Sequence, residues 1–212
     1  MLRIKTFTFN NFAENTYVLY DDTRQCVIID PGCYDPAEQR TLKDFIETEK
    51  LQAVQLLNTH GHIDHVLGNA FVKRMFGVPL RIHPLDEATL RAVAVYAPVY
   101  GLPRYEPAEA DGYLEEGDTV TFGDTRLRVL FLPGHAPGHI GFYYEPDGIL
   151  IGGDVLFRQS IGRTDLPGGN FDTLIRSITE KVFPLGDDVQ VYPGHGPVTT
   201  VGYERLYNPF LQ

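Results

Sequence analysis

The chain has 212 residues, 43% apolar and 22% charged, and its 18 Lys and Arg face 28 Asp and Glu for a net charge of -10. A chain of this length removes roughly 70% of its unfolded surface from water, so neither a disulfide nor a structural metal is needed to hold a core. The negative charge repels phosphate backbones and anionic membranes, and no apolar run approaches the roughly 18 residues that cross a bilayer, which sets nucleic-acid and membrane partners aside. Cys26 and Cys33 match neither a disulfide framework nor a paired metal motif, and Met1 to Phe7 lacks an apolar leader. A reducing, cytoplasmic location is expected.

Period-two stretches at Arg3–Phe9, Thr16–Tyr20 and Cys26–Asp30 predict an opening meander. Asp35 as N-cap, Pro36 at the first helical position and Glu38 reaching back predict a helix whose apolar stripe is Leu42, Phe45 and Ile46. A short strand, Ala53–Leu57, runs into Asn58-Thr59-His60, after which Val66, Ala70, Phe71 and Met75 recur at helical spacing. Leu80–His83 reads as a strand and Pro84–Val95 as helical. From Tyr96 to Gly117, prolines and glycines break the pattern into a loop rich in Tyr96, Tyr100 and Tyr105, which either packs on the core or walls a pocket. Four strands follow, Thr119–Phe122, Leu127–Leu132, Ile140–Tyr144 and Ile149–Ile151. Leu174, Ile175, Ile178 and Val182 then mark a helix, and Val189–Tyr192 a last strand before a short C-terminal segment. With no repeat or linker, residues 1–212 read as one domain: two β-rich halves, each followed by helix, packed as two sheets with helices outside.

Three of the seven histidines fall in Thr59-His60-Gly61-His62-Ile63-Asp64-His65, between an apolar strand and an amphipathic helix where backbone geometry is fixed. Imidazole and carboxylate donors suit zinc, iron or manganese, and no nearby cysteine offers a thiolate, so a catalytic rather than a structural metal is expected. His60 and His62 can converge on one ion, while Asp64 and His65 point elsewhere and can hold a second. The further donors two ions need stand at three more strand ends. These are His135 in Leu132-Pro133-Gly134-His135, Asp154 in Ile151-Gly152-Gly153-Asp154, and His195 in Tyr192-Pro193-Gly194-His195. A glycine precedes each and permits a sharp turn.

This ordered set of motifs resembles the metallo-β-lactamase superfamily across nearly the whole chain. Gly152-Gly153-Asp154-Val155-Leu156-Phe157 with Ser160-Ile161-Gly162-Arg163-Thr164-Asp165 is similar to its glyoxalase II group, the hydroxyacylglutathione hydrolases and their shorter bacterial relatives. The resemblance implies an α/β (α+β) fold, a four-layer αββα sandwich, with His60, His62 and His135 on a first metal, Asp64, His65 and His195 on a second, and Asp154 bridging them. It implies two divalent ions, zinc foremost with iron or manganese compatible, and hydrolysis of a small-molecule thioester or related acyl bond by a hydroxide the two ions share. Asp64 and Asp154 are the carboxylates expected to act in catalysis, Asp64 by orienting that hydroxide.

The pattern departs from the glutathione enzymes in two places. The helical domain those enzymes place after the last histidine is not expected here, and Arg163, Asp165 and Pro197 stand where they offer Lys and Tyr to the tripeptide. Ile161-Gly162-Arg163-Thr164-Asp165 also resembles the persulfide dioxygenases of the superfamily, whose single iron would here be held by His60, His135 and Asp154. A non-catalytic metal-binding module is a third reading. Arg158 and Arg163, close to Asp154, are candidates to meet an anionic substrate. Asp30, at a strand end, is either a turn former or a hydrogen-bond partner of the metal-binding loop. His83 and His139 are expected to be structural.

Overall fold

In the computed structural model, which describes residues 1–212, two six-stranded sheets carry almost all of the β-structure. The first is built in chain order from β1 (Arg3–Phe9), β2 (Glu14–Tyr20), β3 (Gln25–Ile29), β4 (Gln52–Leu57), β5 (Leu80–Ile82) and β6 (Gly112–Tyr113). Its opening meander is antiparallel and its later strands are parallel, because helices intervene between them. These are α1 (Pro36–Thr48), α2 (Ile63–Val66), α3 (Asn69–Phe76) and, after β5, α4 (Glu87–Tyr96). The second sheet contains β7 (Thr119–Phe122), β8 (Thr125–Phe131), β9 (Ile140–Tyr144), β10 (Ile149–Gly153), β13 (Gln190–Pro193) and β14 (Thr199–Thr200). Its order is β14-β13-β10-β9-β8-β7. Between β10 and β13 come a small hairpin, β11 (Leu156–Phe157) with β12 (Ser160–Ile161), and helix α5 (Phe171–Arg176); helix α6 (Val201–Tyr207) closes the chain.

Alternation along the central strands explains why four layers form. In β3, Cys26 and Ile28 face a core shared with α1 to α4, while Val27 and Ile29 face the other sheet. In β10, Ile151 joins that same central core, while Leu150 faces α5 and α6. Strands buried on both faces need near-continuous apolar runs, which β3, β9 and the second half of β2 have. The result is three stacked apolar cores between helix, sheet, sheet and helix, an αββα sandwich. No helix is long and apolar enough to cross a membrane.

Short strands β6, β11, β12 and β14 were not expected, and three helical segments also differ from the expectation. The helix foreseen over Val66 to Met75 is split at Gly68, whose amide donates to the Pro31 carbonyl at 2.7 Å and whose missing Cβ makes room for the Cys33 sulfur. The stripe Leu174 to Val182 is helical, but Ser177–Val182 winds in wider π-type turns after α5. Helix α6 escapes sequence reading because only Val201 and Glu204 are buried in it; Thr200 caps it by accepting from the Tyr203 amide at 3.2 Å.

Candidate metal centre

Strand ends from both sheets meet at one edge of the sandwich. β4 delivers Asn58 to His62, β10 delivers Asp154, and β13 delivers His195. The start of β2 pins the last of these loops, since Asn15 donates to the Pro193 and Gly196 carbonyls at 3.1 and 2.8 Å and Tyr17 Oη to Pro193 at 2.6 Å. Seven predicted donors come together. His60, His62 and His135 present nitrogens within 4.8 Å of one another, as do the donor atoms of Asp64, His65 and His195. Asp154 lies between the sets, with Oδ1 3.5 Å from His65 Nε2, and Oδ2 3.5 Å from His135 Nε2 and 3.6 Å from His195 Nε2.

The far side of each ring fixes which nitrogen faces inward. His135 Nδ1 donates to the Arg163 carbonyl at 2.7 Å and His195 Nδ1 to the Phe12 carbonyl at 3.1 Å, so both turn Nε2 to the centre. His65 Nδ1 meets Asp30 Oδ2 at 3.2 Å. The same carboxylate accepts from the Thr59 amide at 2.7 Å and from Thr59 Oγ1 at 2.5 Å, and that hydroxyl oxygen accepts from His60 Nδ1 at 3.0 Å. Asp30 therefore orients two rings at once. This resolves the choice left open by the sequence: Asp30 is a hydrogen-bond partner of the metal-binding loop, held with φ 49° at the end of β3. Asp30→Asn is expected to weaken binding at the Asp64, His65 and His195 set by about 10- to 100-fold. An amide there faces His65 Nδ1–H donor to donor and favours the tautomer that withdraws Nε2, which calorimetric metal titration reads directly.

Charges follow from this packing. Burial and the neighbouring imidazoles push His60 well below the usual histidine range, and burial with His135 lowers His62 to about 4. Burial would likewise lower His65, but the Asp154 and Asp64 carboxylates outweigh it and hold the ring well above its usual value. His195 is raised too, against its burial, by its 3.0 Å contact with Asp64 and by Asp154. Burial opposes ionisation of Asp154, yet His65, His135 and His195 depress its pKa strongly. At neutral pH His60 and His62 are thus already unprotonated, whereas His65 holds a proton that an ion must displace and His195 is biased toward holding one. As pH falls below neutrality, metal is expected to leave the Asp64, His65 and His195 set first. Titrations in buffers of different ionisation enthalpy should show that ion releasing more protons than the other, and equal release would contradict the assignment.

The site fits a metal by one direct test. His65 Nε2 and an oxygen of Asp154 are buried with no hydrogen-bond partner, although each is an atom that can ligate. His62, Asp64, His135, Asp154 and His195 form the floor of a cavity of about 840 Å³, with His60 and His65 wholly buried beneath.

Other expected residues fall as follows. Arg163 lines the cavity but is held by Asp165 through two 2.7 Å hydrogen bonds. Arg158 does not line it: its guanidinium sits 5.1 Å from the centre of the Tyr203 ring, where the β11–β12 turn carries it away from the donors. That placement corrects its expected role as a substrate contact. Tyr96 and Tyr100 wall the cavity while Tyr105 packs on the core, so the tyrosine loop does both. His83 stacks on Phe131 and caps a turn by accepting from the Leu85 amide, a structural role. His139 stacks on His60 and accepts from the Asp154 amide at 3.0 Å, a structural role that sets the bridging loop. Asp86 was missed. Buried at the start of α4, it accepts from the amides of Gly61 and Gly138 and so ties two ligand loops together; its place just after strand β5 was the available signal.

Residues 10–195 match the family model of the metallo-beta-lactamase superfamily. Hydroxyacylglutathione hydrolase GloC of Haemophilus influenzae is 38% identical over 212 residues, spanning 99% of this chain and 98% of that one. Among solved structures, the BLEG-1 B3 metallo-beta-lactamase superposes with a TM-score of 0.88 at 36% identity, covering 99% of this chain and 100% of the other. TTHA1623 in a di-iron-bound form does so with 0.85 at 37%, covering 98% and 100%. The chain belongs to the metallo-beta-lactamase superfamily, a metal-binding, metal-dependent hydrolase class whose fold it shares. Within that class its likeness to GloC is glyoxalase II-like.

Proposed function

We propose that the protein is a binuclear metallohydrolase that cleaves thioesters. The observation that carries this reading is the pairing of two donor sets around one unpartnered carboxylate oxygen at the floor of an open cavity. His60, His62 and His135 would hold one ion, Asp64, His65 and His195 the other, and Asp154 both. Five imidazoles and two carboxylates suit zinc, with iron and manganese compatible in ligand type. When bound, such a pair supplies Lewis acidity and lowers the pKa of water to near neutrality.

The chain's own residues do the rest. Asp64, 3.0 Å from His195 and facing the cavity, is placed to orient a water and hold its proton. His135 and His195, braced by backbone carbonyls, keep the donors fixed while charge develops on the substrate carbonyl. A thiolate leaves without a general acid, because a thiol's ordinary pKa of about 8.5 makes it a good leaving group. The three cores share strands, so we read residues 1–212 as one catalytic unit.

Elemental analysis run beside an anaerobic thioester panel that includes S-lactoylglutathione tests the reading. Close to two ions per chain and release of free thiol are expected, with His60→Ala inactive. One iron per chain, consuming O₂ and forming sulfite from glutathione persulfide, would instead establish the dioxygenase chemistry, and metal binding with neither activity a binding module.

A further inference from the structure

The cavity above the donors is unlike a site for a multiply charged ligand. Its single Lys or Arg is Arg163, and that guanidinium's Nε and Nη2 both donate to Asp165. The ion pair is exposed, so it does not form a buried anion site, and no lysine or second arginine lines the cavity to meet a substrate carboxylate. The walls are apolar instead. Helix α4 is two-faced: Leu90 and Val93 enter the core, while Ala88, Ala92 and Tyr96, four residues apart, line the cavity. Two alanines one turn apart leave a groove along the helix where larger side chains would fill it, and the row from Ala88 to Tyr96 runs about 12 Å. Leu166 and Pro167 add to the apolar lining from the loop beyond Arg163.

From this arrangement we infer that the substrate's larger arm is uncharged and apolar, a chain lying in the Ala88–Ala92 groove, and that Asp165 disfavours anionic arms by occupying Arg163. The inference rests on the hydrolase reading for the reaction and adds the class of substrate. An apolar arm gains from each methylene that leaves water, whereas a tripeptide arm with two carboxylates loses hydration and meets only the Asp165-paired Arg163.

The test uses the metal-loaded protein with two series: N-acetylcysteamine thioesters of acyl chains from two to ten carbons, and acetyl thioesters of neutral alkanethiols of matching length. In the series that fills the groove, kcat/KM is expected to rise about 3- to 4-fold per buried methylene, ending above S-lactoylglutathione. Ala92→Phe should flatten that rise, lowering kcat/KM for the longest ester far more than for the two-carbon ester. Asp165→Asn should raise kcat/KM for the glutathione ester by about 2- to 5-fold at low salt, an effect that salt removes. Flat profiles in both series, with the glutathione ester preferred, overturn the inference and leave the hydrolase standing. Should no thioester release thiol, the hydrolase reading falls. Calorimetric Kd values for the matching non-hydrolysable thioethers then decide the inference, supporting it if they tighten with chain length and overturning it if they do not.

Discussion

Asp154→Asn is expected to lower kcat/KM by about 10³-fold or more, on the scale of losing a strong transition-state interaction, and to strip metal from both donor sets. The carboxylate's two oxygens lie 3.5 to 3.6 Å from His65, His135 and His195, so one side chain couples all the elements that bring ligands to the edge of the sandwich. A carboxamide keeps the shape, removes the negative charge, and turns a donor toward a position that must accept. Because Asp154 belongs to none of the three apolar cores and its amide still donates to His139, the fold should persist. Losing its charge costs the metal-free chain about 1 to 2 kcal/mol, or a fall of roughly 2 to 8 °C in Tm. Elemental analysis, turnover and thermal melting of the same preparation separate these effects. Two retained ions, or a tenth of wild-type turnover, would remove Asp154 from the bridging position.

Much of that centre was legible in the sequence because the fold places ligands by a local rule. Each donor follows an apolar strand by one to eight residues, and glycines and a helix start mark where the strand has ended. His60, His135, Asp154 and His195 all obey it, and so does the unforeseen Asp86 just after β5. What could not be read depends on segments distant in the chain. Arg158 meets Tyr203 some 45 residues later, and Gly68 yields to Cys33 across three elements. Arg163 is a different case: its partner Asp165 is only two residues away, but whether the two point together is decided by the loop conformation and not by spacing. Periodicity reports how a residue faces its own element; it is silent on which distant side chain will meet it there.

The glycine before His195 separates these two kinds of information, and its substitution carries the second large effect. Sequence logic treats Gly194 as a turn former, yet the glycine of this loop that needs positive φ is Gly196, at 75°, with open space around it. A Cβ on Gly194 would instead collide with the Asp154 carboxylate and stand 2.7 Å from His65 Cε1. Its role is close approach of backbone to the Asp154 carboxylate. Gly194→Ala is therefore expected to displace Asp154 and His65 together and to lower turnover by about 10²-fold, as misplacement of catalytic groups by about 1 Å does. It should also weaken metal binding at the Asp64, His65 and His195 set more than at the other. Gly196→Ala provides the contrast: it meets no atom and costs only about 1 kcal/mol of left-handed backbone strain, a small drop in Tm with turnover largely kept. If the two variants lost activity equally, loop conformation rather than space beside Asp154 would be what glycine supplies. If Gly194→Ala retained both metals and full turnover, the packing of β13 against the bridging carboxylate would be looser than the structure has it.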